Sequence, residues 1–334
     1  MKVSLLYNYL TPMRPACLCV LLIISPAVFA VDSDPDAVNL LKAMHSAGRQ
    51  LNYQGTFVYV NNGKMESMRI YHRVDNKGDH DRMVHLNGST REVIRDGDKI
   101  TCILSDKKSV HVSKLDGGAQ HILSALPSNF NEFAQYYAFT LAGQDRVAGR
   151  VTKVVHVDPR DKFRYGYRFW LDAENGLLLK SQVLAEDGTP IEQLMFTSIE
   201  VVREISPALL KSELKGERYT VTEDKNENAG QPGEVFNWRV AHLPLGFQST
   251  AHDVRYVIAG GVPTHHLVLS DGLASVSVYI EKLDSSKKRF VGSSYVGAVN
   301  IHGVVVDDHQ VTVVGEVPAT TVKMVADSIQ YVKP

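Results

Sequence analysis

Cysteine is nearly absent. Of three in 334 residues, Cys17 and Cys19 lie close to the N-terminus, and only Cys102 remains in the body of the chain. One cysteine forms no internal disulfide, and no C-x-x-C pair is left for zinc or redox chemistry. A dominant charge is lacking too. The chain has 36 Lys and Arg against 37 Asp and Glu, not the basic excess that a nucleic-acid surface needs. Beyond the N-terminus no apolar run approaches the ~20 residues of a membrane span. There is no G-x-S-x-G, no H-E-x-x-H, no phosphate loop and no Gly-rich dinucleotide turn. Gly292-Ser293-Ser294-Tyr295 lacks the spacing of a nucleophile elbow. His265 and His266 are adjacent, so a strand points them to opposite faces. His72, His80 and His85 surround one predicted hairpin but do not make an ordered zinc set. Cys102 sits in an apolar strand, Ile100 to Leu104, with no basic neighbour to activate it. Glu186-Asp187 and Asp307-Asp308 read as solvated turn acids. No catalytic residue, metal ligand or cofactor is therefore expected, and the chain reads as a non-enzyme.

What is present begins with an export signal. Lys2 and Arg14 are the only charges before Asp32, Leu18 to Val28 is largely apolar, and Val28-Phe29-Ala30 has the small residues that a signal peptidase reads. Residues 1–30 are expected to be a signal peptide, so that the mature chain starts at Val31. Losing Lys2 and Arg14 takes the formal charge from −1 to −3. Cys17 precedes the apolar run, the wrong side for a lipidated cysteine.

The mature chain opens with helix-start chemistry at Asp34-Pro35-Asp36. Val38, Leu41, Met44, Ala47 and Leu51 then recur at helical spacing. Strand patterns follow at 55–60, 65–74, 82–86, 90–95 and 99–104, separated by turns such as Asn62-Gly63, Asn87-Gly88 and Asp96-Gly97, which predict an antiparallel meander. A helical interval is expected over 121–141, then strands at 144–157, 165–171, 177–185 and 191–202. The polar stretch 206–233 reads as a linker. A smaller domain follows over 234–334, with strands near 256–258, 265–269, 274–281, 293–301, 304–307 and 310–315. Val322, Val325 and Ile329 form the face of a closing helix.

One feature exceeds a plain core pattern. Tyr165, Tyr167, Phe169 and Leu171 alternate along one strand, Leu177, Leu179 and Val183 along the next, and Phe57 and Tyr59 along a third. These stripes are the core of a sheet, or they line a cavity for an acyl chain. Phe57, Tyr59, Tyr167, Phe169, Leu177 and Leu179 are the cavity candidates.

Several blocks stand in order along the chain, in the first half Leu51 to Tyr59, Arg91-Glu92-Val93-Ile94, Leu126-Pro127, Ala148-Gly149-Arg150, and Pro159-Arg160-Asp161 through Trp170-Leu171-Asp172. In the second half they are Trp238, Leu243-Pro244-x-Gly246-Phe247, Ser270-Asp271-Gly272-Leu273 with Ser277-Val278, and Gly315-Glu316-Val317-Pro318. In these the chain resembles the MucB/RseB family of periplasmic regulators of the envelope-stress sigma factor. The resemblance implies a mostly antiparallel α+β fold. Its large domain, 31–205, would be an unclosed β-barrel of the LolA/LolB lipoprotein-carrier type with plugging helices, followed by a small α+β domain. It implies a periplasmic protein that binds the periplasmic region of a membrane-spanning anti-sigma factor, of MucA or RseA type. Binding would shield that region from site-1 proteolysis, and a lipid or lipopolysaccharide signal would end it. Trp238, Asp271 and Tyr279 are the candidates for partner contact; homo-oligomerisation is left open. The alternative is a lipid or lipoprotein carrier, which would not need the second domain.

Overall fold

The computed structural model describes residues 33–114, 130–214, 219–223, 236–256, 263–284 and 288–332. The expected signal peptide, the Leu126-Pro127 block and residues 215–218 and 224–233 of the expected linker lie outside them.

Helix α1 spans Pro35–Gln50, and the Asp34 side chain caps it by accepting from the Asp36 N–H at 2.8 Å. Ala37, Leu41, Met44 and Ala47 fall on its buried face, as their spacing requires. The meander follows: β1 Asn52–Asn61, β2 Lys64–Asp75, β3 Gly78–His85, β4 Arg91–Asp96, β5 Lys99–Leu104 and β6 Ser109–Lys114. After the short helix α2, Phe130–Phe133, come β7 Tyr137–Val147, β8 Arg150–Pro159, β9 Gly166–Asp172, β10 Leu178–Leu184, β11 Pro190–Val202 and β12 Thr220–Glu223. These twelve strands make one open sheet, ordered β12-β6-β5-β4-β3-β2-β1-β11-β10-β9-β8-β7. It consists of two antiparallel meanders joined where β1 pairs with β11; among the described residues only the β12–β6 pairing is parallel.

The second half has β13 Trp238–Val240, β14 Gln248–Tyr256, β15 Pro263–Ser270, β16 Ser275–Lys282, β17 Gly292–Val296, β18 Val299–Val306, β19 His309–Gly315, α3 Ala319–Asp327 and β20 Ile329–Tyr331. Six of these strands form an antiparallel sheet, ordered β14-β15-β16-β19-β18-β17. Its buried side carries Leu267, Leu269, Val276, Val278, Ile280, Val311 and Val313, covered by Val322, Val325 and Ala326 of α3.

Several elements differ from the sequence reading. The expected helix over 121–141 keeps only Phe130–Phe133 among the described residues. Tyr137 and Phe139 alternate into β7 instead and pair with Pro159 and Val157. The single strands expected at 144–157 and 293–301 are each folded into a hairpin. The first turns at Ala148-Gly149 and the second at Gly297-Ala298, where Ala148, Gly149 and Gly297 have positive φ. Strand β6, with only two apolar residues, and β12, within the expected linker, carry too little pattern to be read. Ile329 leaves the helix to pair with Val240. Of the strand expected at 256–258, Tyr256 is the far end of β14, whose polar start hid it, and residues 257–258 lie outside the described residues.

Candidate functional site

The apolar stripes converge on one interior. Phe57 is buried against Phe196, ring centroids 5.5 Å apart. Tyr167 and Phe169 are buried and stack at 5.8 Å. Leu177 and Leu179 belong to the same cluster, and Tyr59 is half-buried against it. A register break between Leu178 and Lys180 buries Leu177, Leu178 and Leu179 in succession; such a bulge turns one extra side chain inward. The described interior is close-packed. A cleft between α1 and the sheet, lined by Met44, Gly48, Tyr53, Leu177, Leu178 and Ile199, is too narrow to hold a water molecule.

At its other rim this interior meets the small domain. The turn between β17 and β18 inserts there: Ala298 is fully buried within the large domain's cluster. The Ala298 N–H donates to Glu192 Oε1 at 3.0 Å. Glu192 also accepts from the Tyr59 hydroxyl at 2.7 Å and from Asn61 Nδ2 at 2.8 Å. Asn300 Nδ2 donates to the Tyr165 hydroxyl and to the Val317 carbonyl, both at 2.8 Å. Burial raises the Tyr167 hydroxyl pKa well above its ordinary value, and burial with the Glu192 carboxylate raises that of Tyr59. Glu316 is exposed at the rim. Crowding by protein, then the charge of Glu192, push its carboxyl up to about 7.

A second contact completes the junction. Arg164 Nε donates to Asp271 Oδ2 at 2.5 Å, with both side chains fully buried. The guanidinium also reaches Asp161 and the Leu245 carbonyl, and lies 4.9 Å from the Tyr136 ring and 5.1 Å from that of Phe247. Asp271 Oδ1 accepts from the N–H groups of Leu273 and Ala274 at 2.9 and 2.7 Å, fixing the turn before β16. Thr321 Oγ1 donates to the Phe163 carbonyl at 2.8 Å. Thus the Asp161, Gly246-Phe247 and Asp271 blocks, far apart in sequence, meet at one buried ion pair.

The partner-contact candidates are placed differently from one another. Asp271 is in that junction. Trp238 is buried in the small core, edge-on to His309 and Tyr331 at 5.0 Å each. Tyr279 is half-buried and stacks on His266 at 4.6 Å. Glu192, Asn61, Arg164 and Ala298 carry no sequence signal of their own. The bonds that join them across the junction, Glu192 to Asn61 and Ala298 and Arg164 to Asp271, span more than a hundred residues each, and only the blocks of the family resemblance hinted at some of them. Among the described residues no group of three or more His, Cys, Asp and Glu side chains could hold a metal ion. No described helix is long and apolar enough to cross a membrane.

An open antiparallel sheet around an apolar interior, with a second β domain keyed into its rim, defines a two-domain β protein. Family models add the lineage: the MucB/RseB N-terminal domain matches residues 36–214 and the MucB/RseB C-terminal domain residues 232–330. The chain belongs to the MucB/RseB family. It is 34% identical over 309 residues to the sigma factor AlgU regulatory protein MucB of Pseudomonas aeruginosa, covering 88% of this chain and 91% of that protein. It is 29% identical over 308 residues to the sigma-E factor regulatory protein RseB of Salmonella typhimurium, covering 90% and 92%. A crystal structure of MucB in complex with MucA(peri) matches with a TM-score of 0.69 at 32% identity, covering 90% of this chain and all of that one. Both named relatives are regulators.

Proposed function

We propose that this chain is a periplasmic negative regulator of an envelope-stress sigma factor. It binds the periplasmic region of a membrane-spanning anti-sigma factor and shields it from the protease that makes the first cut. A lipid or lipopolysaccharide signal ends the shielding. One observation carries the reading: likeness along both domains to a MucB solved with MucA(peri). The charged and apolar flanks of residues 1–30 support export.

In this reading the large domain senses the lipid. An acyl chain enters beside Phe57, Tyr59, Tyr167, Phe169, Leu177 and Leu179, at ~0.8 kcal/mol per buried methylene. The close packing of these side chains requires a displacement first, and Ala298 is the group that stands in the rim. The small domain, 234–334, contributes the partner surface, and the linker at 206–233 allows the two domains to part. A lipoprotein carrier would work with the large domain alone. The Arg164–Asp271 pair and the seated Ala298 tie the second domain into the first, which favours the regulator.

The test is protease protection. The purified mature chain should slow cleavage of the anti-sigma periplasmic region by its site-1 protease, and an acylated envelope glycolipid should restore cleavage. Cleavage at the same rate with and without the chain would remove the proposal.

A further inference from the structure

Among the described residues four strands lie at the edges of the two larger sheets, β12 and β7 in the twelve-stranded sheet and β14 and β17 in the six-stranded one, while β13 and β20 pair only with each other. An edge strand presents unpaired N–H and C=O groups, and proteins guard such edges with short strands, charges, prolines or bulges. Three of these edges are guarded. β12 is four residues long. β7 has a register break between Leu141 and Gln144 and exposes Asp145 and Arg146. β14 has a break between Ser249 and Ala251 and exposes Gln248, Ser249, Thr250 and His252.

β17 is not guarded. It has no charge and no proline, and its pairing with β18 runs unbroken from Gly292 to Val296. Tyr295 is 68% exposed, Val296 61%, and Val291 just before the strand 68%. Among the described residues no strand pairs with its outer side. Lys288 and Arg289, both exposed, precede it.

We propose that β17 is a β-augmentation site, where an extended segment of a partner polypeptide adds a seventh strand to the small sheet. Backbone hydrogen bonds supply the pairing, and side-chain pockets supply the selection. The segment carries apolar residues at alternate positions, to cover Tyr295 and its neighbours, and acidic residues beside Lys288 and Arg289. A second copy of this chain fits less well. Five paired residues bury far less than the ~1,200 Å² of a stable interface, and the cations ask for an acidic strand that β17 itself does not provide. An extended segment from a larger partner makes its remaining contacts elsewhere. The inference rests on the regulator reading and assigns a surface to it: the segment belongs to the anti-sigma periplasmic region.

The experiment is amide exchange and calorimetry on the full mature chain with the periplasmic region of the anti-sigma factor from the same genome. Binding should slow exchange at 292–296, and Tyr295→Glu, at an exposed position, should weaken affinity at least tenfold. Lys288→Glu with Arg289→Glu should weaken it as well. Wild-type binding with no protection of β17 and unchanged affinity in Tyr295→Glu would overturn this inference and leave the regulator standing. If the wild-type chain bound no partner region, both would fall. Protection of β17 that needs no partner and grows with chain concentration would assign the edge to a second copy and overturn the inference.

Discussion

Glu316 illustrates how single residues set the state of the junction. Its carboxyl, ordinarily near 4.5, is raised to about 7 where it stands crowded near Glu192, with Tyr59, Tyr165 and Tyr167 also close to these acids. A raised pKa means that the folded, closed form holds the proton more tightly than the open one. The associated stability is complete below pH 4.5, declines as pH rises, and is gone above about 7. Exposure of the side chain tempers its size. Glu316→Gln should therefore flatten the decline of the melting temperature between pH 4.5 and about 7. Thermal melts across that range check it, and a variant with the wild-type slope would show that Glu316 does not titrate there. At this scale the sequence was legible in part. Phe57, Tyr167 and Phe169 announce their burial by alternation. Asp271 reads as a candidate for partner contact, and it lies buried on Arg164. Nothing local marks that pair, because an ion pair between domains leaves no periodicity in either partner.

At the scale of elements, local chemistry is readable wherever the pattern is strong. The helix cap at Asp34 and the hairpins at Asn62-Gly63 and Asp96-Gly97 form where their residues ask for them. Reading fails where apolar residues run straight through a turn, as from Ser293 to Ile301. Gly297 breaks that run. Its φ of 59° suits glycine, and an added Cβ would fall onto the Asn61 side chain, which is held by its bond to Glu192. The β17–β18 tip is thus shaped to fit the large domain. Gly297→Ala should unseat it without unfolding either sheet. The Ala298 N–H should then exchange faster, while the small core around Val276 and Val313 keeps its protection. Unchanged exchange at Ala298 would show that the tip tolerates a side chain and is not the key to the junction.

For the whole molecule the two domains form one device only if their sites communicate. A shield that bound its partner under all conditions could not report stress. The lipid site proposed for the large-domain interior and the partner surface proposed for the small domain share the rim where Ala298 is seated. A ligand that displaces Ala298 therefore alters how the small domain is held. Linkage makes the effect reciprocal: if lipid weakens partner binding, partner weakens lipid binding by the same factor. A coupling of about 1–3 kcal/mol corresponds to roughly 5- to 150-fold in affinity. The most direct measurement is the affinity of the mature chain for the anti-sigma periplasmic region by calorimetry, with and without an acylated envelope glycolipid. Weakening within that range is the predicted result. Equal affinities under the two conditions would contradict lipid sensing and leave a passive shield.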